Sequence, residues 1–205
     1  MRYKDDSKRF HEQNLLDRTI ETTLKKAGEL SLADLNRVTV AAQVQAGIDH
    51  YRAEAMGMSV SELYNEKHDS SRLARHLEEA GQPRPPRCHA HAIVAGRHQH
   101  AAVLRALMAN LKIRIDDTDN GCWLPENQAA TPHPTFPRAI PHSRIHRYNY
   151  YFWIRSRLEP IRDPKRFRLD LRLIAKQLQE NTCPEYVMMK KGEGLPDKPA
   201  RSVAK

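Results

Sequence analysis

The stretch His89-Ala90-His91-Ala92-Ile93-Val94 places two imidazoles two positions apart in a short, apolar run. Side chains of a β-strand alternate between its two faces, so His89 and His91 would lie on the same face of a strand here. The apolar residues around them favour a strand at residues 88–96. A strand that presents histidines in this way is a candidate part of a metal site.

A second stretch, Asn120-Gly121-Cys122-Trp123-Leu124-Pro125, combines a turn dipeptide with a strand pattern. Asn-Gly is favoured in tight turns. The apolar residues that follow end at a proline, which cannot donate a strand hydrogen bond. We predict a strand at residues 122–125. Asn120 is also a candidate oxygen ligand, or a residue that holds a catalytic base in orientation.

The third stretch, His142-Ser143-Arg144-Ile145-His146, opens a predicted helix over residues 142–158. Residues four apart lie one turn apart on the same helix face, and two such imidazoles can bind one metal ion. With 11 histidines in 205 residues, this spacing also arises by chance, so it counts only in combination. We therefore predict that His91, His142 and His146 bind one divalent ion, which would be Mg²⁺, Mn²⁺, Ni²⁺ or Zn²⁺.

Such an ion would serve hydrolysis of a phosphodiester. With open coordination positions it can hold the scissile phosphate and stabilise the leaving oxygen. A neutral imidazole beside it would deprotonate the attacking water. The three cysteines have no CxxC spacing, which argues against a disulfide framework and against a thiolate zinc site.

The apolar spacing and the distribution of prolines divide the chain into three parts. Residues 1–82 repeat apolar side chains at spacings of three and four and form a predicted helical extension. A proline-rich joint at 81–86 leads into a second domain at residues 83–182. Residues 183–205 are expected to form a flexible tail. Within the second domain we predict further helices at 98–111 and 165–181, and a brief strand at 113–115. The fold class is mainly α with a small β component.

The positive charge is concentrated in the second domain. Residues 1–82 hold 12 Lys and Arg against 14 Asp and Glu, whereas residues 83–182 hold 17 against 8, a net charge of +9. Most of these cations are arginines, whose planar guanidinium group matches phosphate oxygens. A nucleic acid is therefore the first partner to expect. The arginines predicted to contact it are Arg144, Arg147, Arg155 and Arg157.

The sequence also bears on cellular location. No apolar run reaches the roughly 18–20 residues that a membrane span needs. Residues 1–10 are densely charged and lack the apolar centre of a cleaved signal peptide. We expect a chain that is cytoplasmic, or one that is exported by a route without a cleaved signal.

The order of these features resembles the AHH family of the HNH/endonuclease VII superfamily. The resemblance covers residues 87–158 and includes Ala90-His91, Asn120-Gly121, Leu124-Pro125 and the pair His142 and His146. It implies a ββα-metal fold, with a β-hairpin and a helix around one divalent ion. The implied activity is endonucleolytic cleavage, chiefly of DNA, with RNA as the second candidate substrate.

The resemblance also implies a biological setting. Members of this family are mostly toxin domains at the C-terminal ends of bacterial polymorphic and contact-dependent effectors. The chain is thus expected to be a secreted effector without a cleaved signal peptide, acting in the cytoplasm of the target cell. A cognate immunity protein is expected as a partner, with an acidic surface that faces the arginine-rich side.

Carried over by position, the resemblance assigns roles to the motif residues. His91 matches the first histidine of the Ala-His-His signature, a metal-site residue, and His146, with His142 before it, matches the downstream one. Asn120 matches the family's asparagine. The second histidine of the signature is the general base, and here that position is Ala92. Alanine accepts no proton, so we expect this form of the chain to be inactive, or slower by on the order of 100- to 10,000-fold.

Several alternatives stay open. Ala92 is either a deliberate replacement of a catalytic histidine, which makes a toxic nuclease producible, or a natural residue for which His89 or a neighbour substitutes. The alternative to a nuclease is a non-catalytic nucleic-acid-binding module in which the histidines hold a structural zinc. A third alternative is an interaction domain that docks a partner through its helices.

Overall fold

Residues 13–26 and 28–196 are described by the structure, a computed structural model of the single chain. In this part the chain is mainly helical and has one two-stranded antiparallel sheet. The predicted fold class, a small β-hairpin with helices and an N-terminal helical extension, is therefore confirmed. Residues 1–12 of the predicted helical extension lie outside the described residues.

Four helices precede the sheet: α1 (Leu15–Leu24), α2 (Leu32–Gly57), α3 (Val60–Asn65) and α4 (Ser70–Glu79). The first three begin at capping boxes, in which two side chains satisfy backbone N–H groups that the helix leaves free. The capping pairs are Asn14 with Asp17, Ser31 with Asp34, and Ser59 with Glu62. The pair Ser31 and Asp34 has the serine-to-acid spacing of three residues that is typical of this motif.

The sheet pairs β1 (Cys88–Ala92) with β2 (Gly121–Pro125), and His91 lies opposite Cys122. The first strand is shorter than the predicted 88–96, because the backbone of Val94 bonds the side chain of Asn120 instead of continuing the ladder. The strand predicted at 113–115 was wrong. Ile113 and Ile115 are buried, but the backbone there pairs with no strand in the described chain.

Three further helices follow in the chain: α5 (Ala102–Asn110), α6 (Tyr148–Leu158) and α7 (Pro164–Glu180). The last agrees with the predicted helix at 165–181. Asp163 caps the N-terminus of α7, and a proline follows in the first turn, where no backbone N–H is needed for a helical hydrogen bond. None of the helices within the described residues is long and apolar enough to span a membrane.

The hairpin is packed on both of its faces. One face belongs to the main core, where β2 side chains Cys122 and Leu124 lie with the apolar sides of α5, α6 and α7. The other face carries Trp123, which packs with Leu73 and Leu77 of α4. Gly121 permits this approach, because a Cβ there would lie 2.7 Å from Leu73 Cδ1. Helix α4, placed in the N-terminal extension by the sequence, thus covers one face of the hairpin.

An ion-pair network ties α2 to α7 across the turn Thr118–Asn120. Arg52 Nε donates to Asp117 Oδ2 at 3.1 Å, and Arg168 pairs with the same carboxylate. Burial alone would raise the pKa of Asp117, but the charges of Arg168 and Arg52 hold it well below its usual range. The carboxylate therefore stays ionised at neutral pH and holds both helices to this turn.

Part of the segment expected to be a flexible tail is packed on α6. Val187 is buried in the short 3-10 helix Glu185–Met188. The side-chain amide of Asn149 donates to the carbonyls of Tyr186 and Lys190, at 2.7 and 3.0 Å. The chain is therefore held to the core there. Residues 197–205 of the predicted tail lie outside the described part.

Candidate metal centre

Three histidines meet at one point. His91 comes from β1, His142 from the 3-10 helix His142–Arg144, and His146 from the turn before α6. One nitrogen of each lies within 4.8 Å of the other two. Their ring centroids are 5.0 to 5.3 Å apart, so the rings form a nearly regular triangle. The structure thus brings together the three residues that the sequence predicted as ligands.

The backbone around the second pair differs from the prediction. The helix predicted from residue 142 was wrong at its start, because α6 begins only at Tyr148. Ile145 enters the core and is 3% exposed, which takes the chain off a helical path. His146 follows with a positive φ of 40°, a region that non-glycine residues rarely adopt. The two imidazoles therefore converge through an irregular turn, not through helical stacking.

Hydrogen bonds around His91 leave one of its nitrogens free to bind an ion. The hydroxyl of Tyr150 donates to the Ile93 carbonyl at 2.8 Å, so its proton is already used. His91 Nε2 lies 3.1 Å from that hydroxyl oxygen and must therefore be the donor. In the neutral ring, Nδ1 then carries the lone pair, and it is buried without a hydrogen-bond partner. An orphaned, unprotonated nitrogen at this place fits a metal ligand.

The other two imidazoles are also suited to bind a cation. His146 Nδ1 lies 2.8 Å from the Tyr151 hydroxyl, which leaves its Nε2 for an ion. Desolvation by the surrounding protein and the nearby His142 lower the pKa of His146 to about 4. Burial, and then the charge of His89, lower the pKa of His142. Both rings are therefore neutral at pH 7, the form that binds metal ions.

Ala92 lies at a cavity beside this cluster. The cavity has a volume of about 320 Å³. Its wall includes the small side chains of Ala90 and Ala92 and the rings of His142 and His146. An imidazole at position 92 would therefore extend towards space next to the metal ligands.

Asn120 lies beneath the site and is fully buried. Its Oδ1 accepts the backbone N–H of Val94 at 2.8 Å, and its Nδ2 donates to the carbonyls of Val94 and Ile115 at 3.2 and 2.8 Å. The amide is thus committed to backbone groups and fixes the chain after β1. Asn120 points no free oxygen at the three histidines and acts on the site through the backbone.

Replacing Asn120 by alanine is expected to lower the free energy of unfolding by about 2–4 kcal/mol, because three buried backbone groups lose their partners. Urea denaturation measures the change. The matched control is Asn110→Ala, since the Asn110 side chain is exposed and, within the described part of the chain, bonds the carbonyl of Ala106 in its own helix. If the free energy of unfolding falls no more in Asn120→Ala than in Asn110→Ala, Asn120 does not hold the backbone after β1 as argued.

The predicted nucleic-acid arginines fall into two groups. Arg155 pairs with Glu159, and Arg157 bonds Asp170, so both already have carboxylate partners. Arg144 and Arg147 flank His146 and form no ion pair with any residue in the described chain. The structure adds Arg97, which was not singled out by the sequence. It lines the cavity and likewise has no partner among the described residues.

Two further histidines, which were not among the predicted site residues, line the cavity. His98 stacks on the ring of Tyr151 with centroids 4.2 Å apart, and His68 reaches the cavity from the loop before α4. Neither belongs to a recognisable spacing, so local sequence gave no signal for them. His89 lies beside His142, with ring centroids 5.6 Å apart, but its side chain faces Glu126 and does not line the cavity.

The metal-free protein is expected to lose stability as the pH falls from about 7 towards 4. Burial lowers the pKa of His91 well below its usual value, whereas the unfolded chain has an ordinary imidazole. Between these two pKa values the unfolded state binds one more proton. The free energy of unfolding then falls by up to about 1.4 kcal/mol per pH unit for this residue.

Urea denaturation at pH 7, 6 and 5 in the presence of a chelator measures this dependence. We expect a smaller slope in His91→Gln, which has no imidazole to protonate. The control is His50→Gln on the exposed surface of α2, for which the slope should stay as in the parent chain. An equal slope in His91→Gln would show that this ring does not titrate as argued.

Comparison with known proteins gives one match. A family model described as a nuclease family of the HNH/ENDO VII superfamily, with conserved AHH, covers residues 72–178. This span is 107 of the 205 residues and contains the hairpin and the three histidines. It begins within α4 and ends within α7. No curated protein and no solved structure matches the chain.

Proposed function

Because the chain belongs to the AHH nuclease family of the HNH/endonuclease VII superfamily, we propose that it is a metal-dependent endonuclease that hydrolyses phosphodiester bonds in DNA. The observation that carries this proposal is the convergence of His91, His142 and His146 beside a cavity, within the region that matches the family. The basic charge of the second domain supports a nucleic acid as the substrate.

The residues of the chain would hold and orient the reactants. The three imidazoles would bind one divalent ion, which supplies Lewis-acid stabilisation of the phosphate when bound. Tyr150 fixes the tautomer of His91 and the direction of its free nitrogen. The guanidinium groups of Arg97, which lines the cavity, and Arg147, next to His146 in the chain, would bind phosphate oxygens of the substrate. The cavity provides the space for the attacking water.

The donor set favours some ions over others. Three imidazoles without a carboxylate suit Zn²⁺ or Ni²⁺, whereas Mg²⁺ prefers oxygen ligands and keeps much of its water. We expect the chain to bind Zn²⁺ and Ni²⁺ more tightly than Mn²⁺, and Mn²⁺ more tightly than Mg²⁺. Calorimetric titration of the metal-free protein with each ion measures this order.

A cleavage assay tests the proposed function. Supercoiled plasmid DNA and a structured RNA are incubated with the Ala92→His variant and each of the four metal ions, with and without chelator. We expect metal-dependent nicking of the plasmid that the chelator abolishes. If neither nucleic acid is cut under any of the four metals, the nuclease proposal fails.

The alternative is a nucleic-acid-binding module with a structural zinc. Structural zinc sites have four protein ligands, whereas catalytic sites have three and an open position. Within the described residues the cluster offers three nitrogens and borders a cavity, which favours the catalytic alternative. A zinc ion that binds tightly and takes His89 as a fourth ligand would favour the structural one.

Loss of the unpaired arginines is expected to weaken DNA binding. Replacing Arg97 or Arg147 by alanine should remove about one phosphate contact each, and so lower the slope of log affinity against log salt by about 1. The matched control is Arg155→Ala, because Arg155 already pairs with Glu159. Fluorescence anisotropy with a duplex at 50–200 mM salt measures this. An equal effect of all three substitutions would contradict the distinction between the unpaired arginines and the paired Arg155.

The family resemblance also motivates a proposed role as the toxin of an interbacterial effector with an immunity partner. Expression of Ala92→His in the bacterial cytoplasm should reduce viability, whereas the double variant Ala92→His with His146→Ala should not. The immunity protein would present acidic groups to the side of the chain that carries Arg144 and Arg147. Charge reversal at both arginines should weaken that complex, and an unchanged affinity would count against this surface.

A further inference from the structure

The imidazole of His68 lies at the same cavity as Ala92. It comes from the loop between α3 and α4, before the region that matches the nuclease family. The side chain is 25% exposed and lines the cavity together with Ala92, His142 and His146.

The side chain of His68 is held by contacts with Asp116 and with Gly96. His68 Nδ1 forms a hydrogen bond with Oδ1 of Asp116, a fully buried carboxylate. The other oxygen of Asp116 accepts the backbone N–H of Asp69 at 3.0 Å and Nε of Arg72 at 2.7 Å. On the opposite side His68 Cβ packs so closely on Gly96 that a Cβ added there would collide with it. The ring therefore has one defined orientation.

These contacts determine which nitrogen can accept a proton. Burial would raise the pKa of Asp116, but the hydrogen bonds from His68 and Asp69 outweigh it and hold this pKa below its usual value. The carboxylate is ionised at neutral pH and can only accept, so the neutral ring of His68 donates from Nδ1. Its Nε2 then has a free lone pair, as in other carboxylate–imidazole pairs that act as bases.

The two neighbouring histidines lack this arrangement. His98 Nδ1 accepts the backbone N–H of His100 at 3.3 Å, so in the neutral ring Nε2 carries the proton and cannot accept another. His89, which the sequence offered as a substitute base, is half exposed near Glu126 and does not line the cavity. Among these three candidates, only His68 presents an oriented lone pair to the space beside Ala92.

We propose that His68 is the general base of this chain, positioned by Asp116, and that it replaces the imidazole which position 92 lacks. This inference rests on the proposed nuclease function. The base belongs to the helical extension, so residues before the family region would complete the active site.

The proposed step balances without any further reactant. A water molecule in the cavity attacks phosphorus, and its oxygen forms the new bond to phosphorus as the bond to the leaving sugar oxygen breaks. The proton that the water loses passes to Nε2 of His68, and Asp116 stabilises the resulting imidazolium charge. The leaving oxygen takes a proton from solvent, and His68 then returns its proton to solvent.

A double-mutant comparison tests the proposal with the full chain. His68→Gln retains a donor towards Asp116 but has no basic nitrogen. In the parent chain, we expect it to lower the residual metal-dependent cleavage rate by about 10-fold or more. In the Ala92→His background, where the second base is restored, the same change should lower the rate by less than about 3-fold. The matched control is His76→Gln, because His76 bonds the carbonyl of Asp116 but does not line the cavity.

Three results would overturn the proposal. If His68→Gln lowers the rate by the same factor in both backgrounds, the residue binds substrate or supports the fold instead. If Ala92→His cleaves DNA while the parent chain does not, no substitute base exists, although the nuclease function stands. If neither cleaves, the proposed function fails and this inference fails with it. Thermal unfolding of each variant identifies losses that come from misfolding.

Nitrogen-15 NMR of the metal-free chain gives a readout that does not depend on activity. At pH 8 we expect the His68 ring to be protonated at Nδ1 and unprotonated at Nε2. Asp116→Asn should shift the ring towards the opposite tautomer and lower kcat with little change in KM, because the amide can donate as well as accept. A ring that is protonated at Nε2 in the parent chain would overturn the proposal.

Discussion

Replacing Ala92 by histidine is expected to raise the rate of metal-dependent DNA cleavage by about 100- to 10,000-fold, the usual effect of a positioned general base. Ala92 is 5% exposed and borders a cavity of about 320 Å³, so the larger side chain has space to extend into. The new imidazole would then point from the face of β1 opposite to His91 into the cavity that His142 and His146 also line, where it could take a proton from the attacking water. The gain should be smaller if His68 already supplies part of this function.

The matched control is Ala92→Gln, which adds similar bulk and a hydrogen-bonding group but no basic nitrogen. Single-turnover rates on plasmid DNA, measured from pH 5 to 9 for both variants, separate the two effects. The rate of Ala92→His should fall at acidic pH as the new ring becomes protonated. Ala92→Gln should show neither the gain in rate nor this fall at acidic pH. Equal gains in both variants would mean that packing, and not proton transfer, is responsible.

Removal of His146 is expected to lower the affinity for Zn²⁺ or Ni²⁺ by more than about 100-fold, since even the loss of an outer-shell partner costs 10- to 100-fold. His146 lies in an irregular turn at the surface, so alanine there should perturb the core little. Calorimetric titration of His146→Ala measures the affinity. In the Ala92→His background, cleavage should be lost in parallel with binding.

His89→Ala is the sharpest control for this experiment. The ring of His89 lies 5.6 Å from that of His142 but is not among the three converging ligands. We expect its loss to change metal affinity by no more than a few-fold. A loss as large as at His146 would identify a fourth ligand, close the coordination sphere and favour the structural-zinc alternative.

Prediction from sequence worked best where the determinants are local. Helix starts were recognisable because a capping residue and its partner lie three positions apart, as Ser31 and Asp34 do. Prediction from sequence was wrong where tertiary packing overrides the local pattern. The spacing of His142 and His146 favoured a helix, but burial of Ile145 breaks it, and the two rings converge through a strained turn. The spacing thus predicted that the two imidazoles lie together, and the structure brings them together through a backbone that is not helical.

The amino-acid sequence was enough to identify the residue types that the chemistry requires: imidazoles at positions 91, 142 and 146, an alanine at 92, and a basic second domain. The folded chain was needed to show which nitrogen of His91 is free, that Arg155 is already paired, and that His68 lies beside Ala92. Tautomers, ion pairs and shared cavities depend on groups distant in the chain, such as His68 and Asp116. Their approach is fixed by packing of the whole fold, which no local pattern encodes.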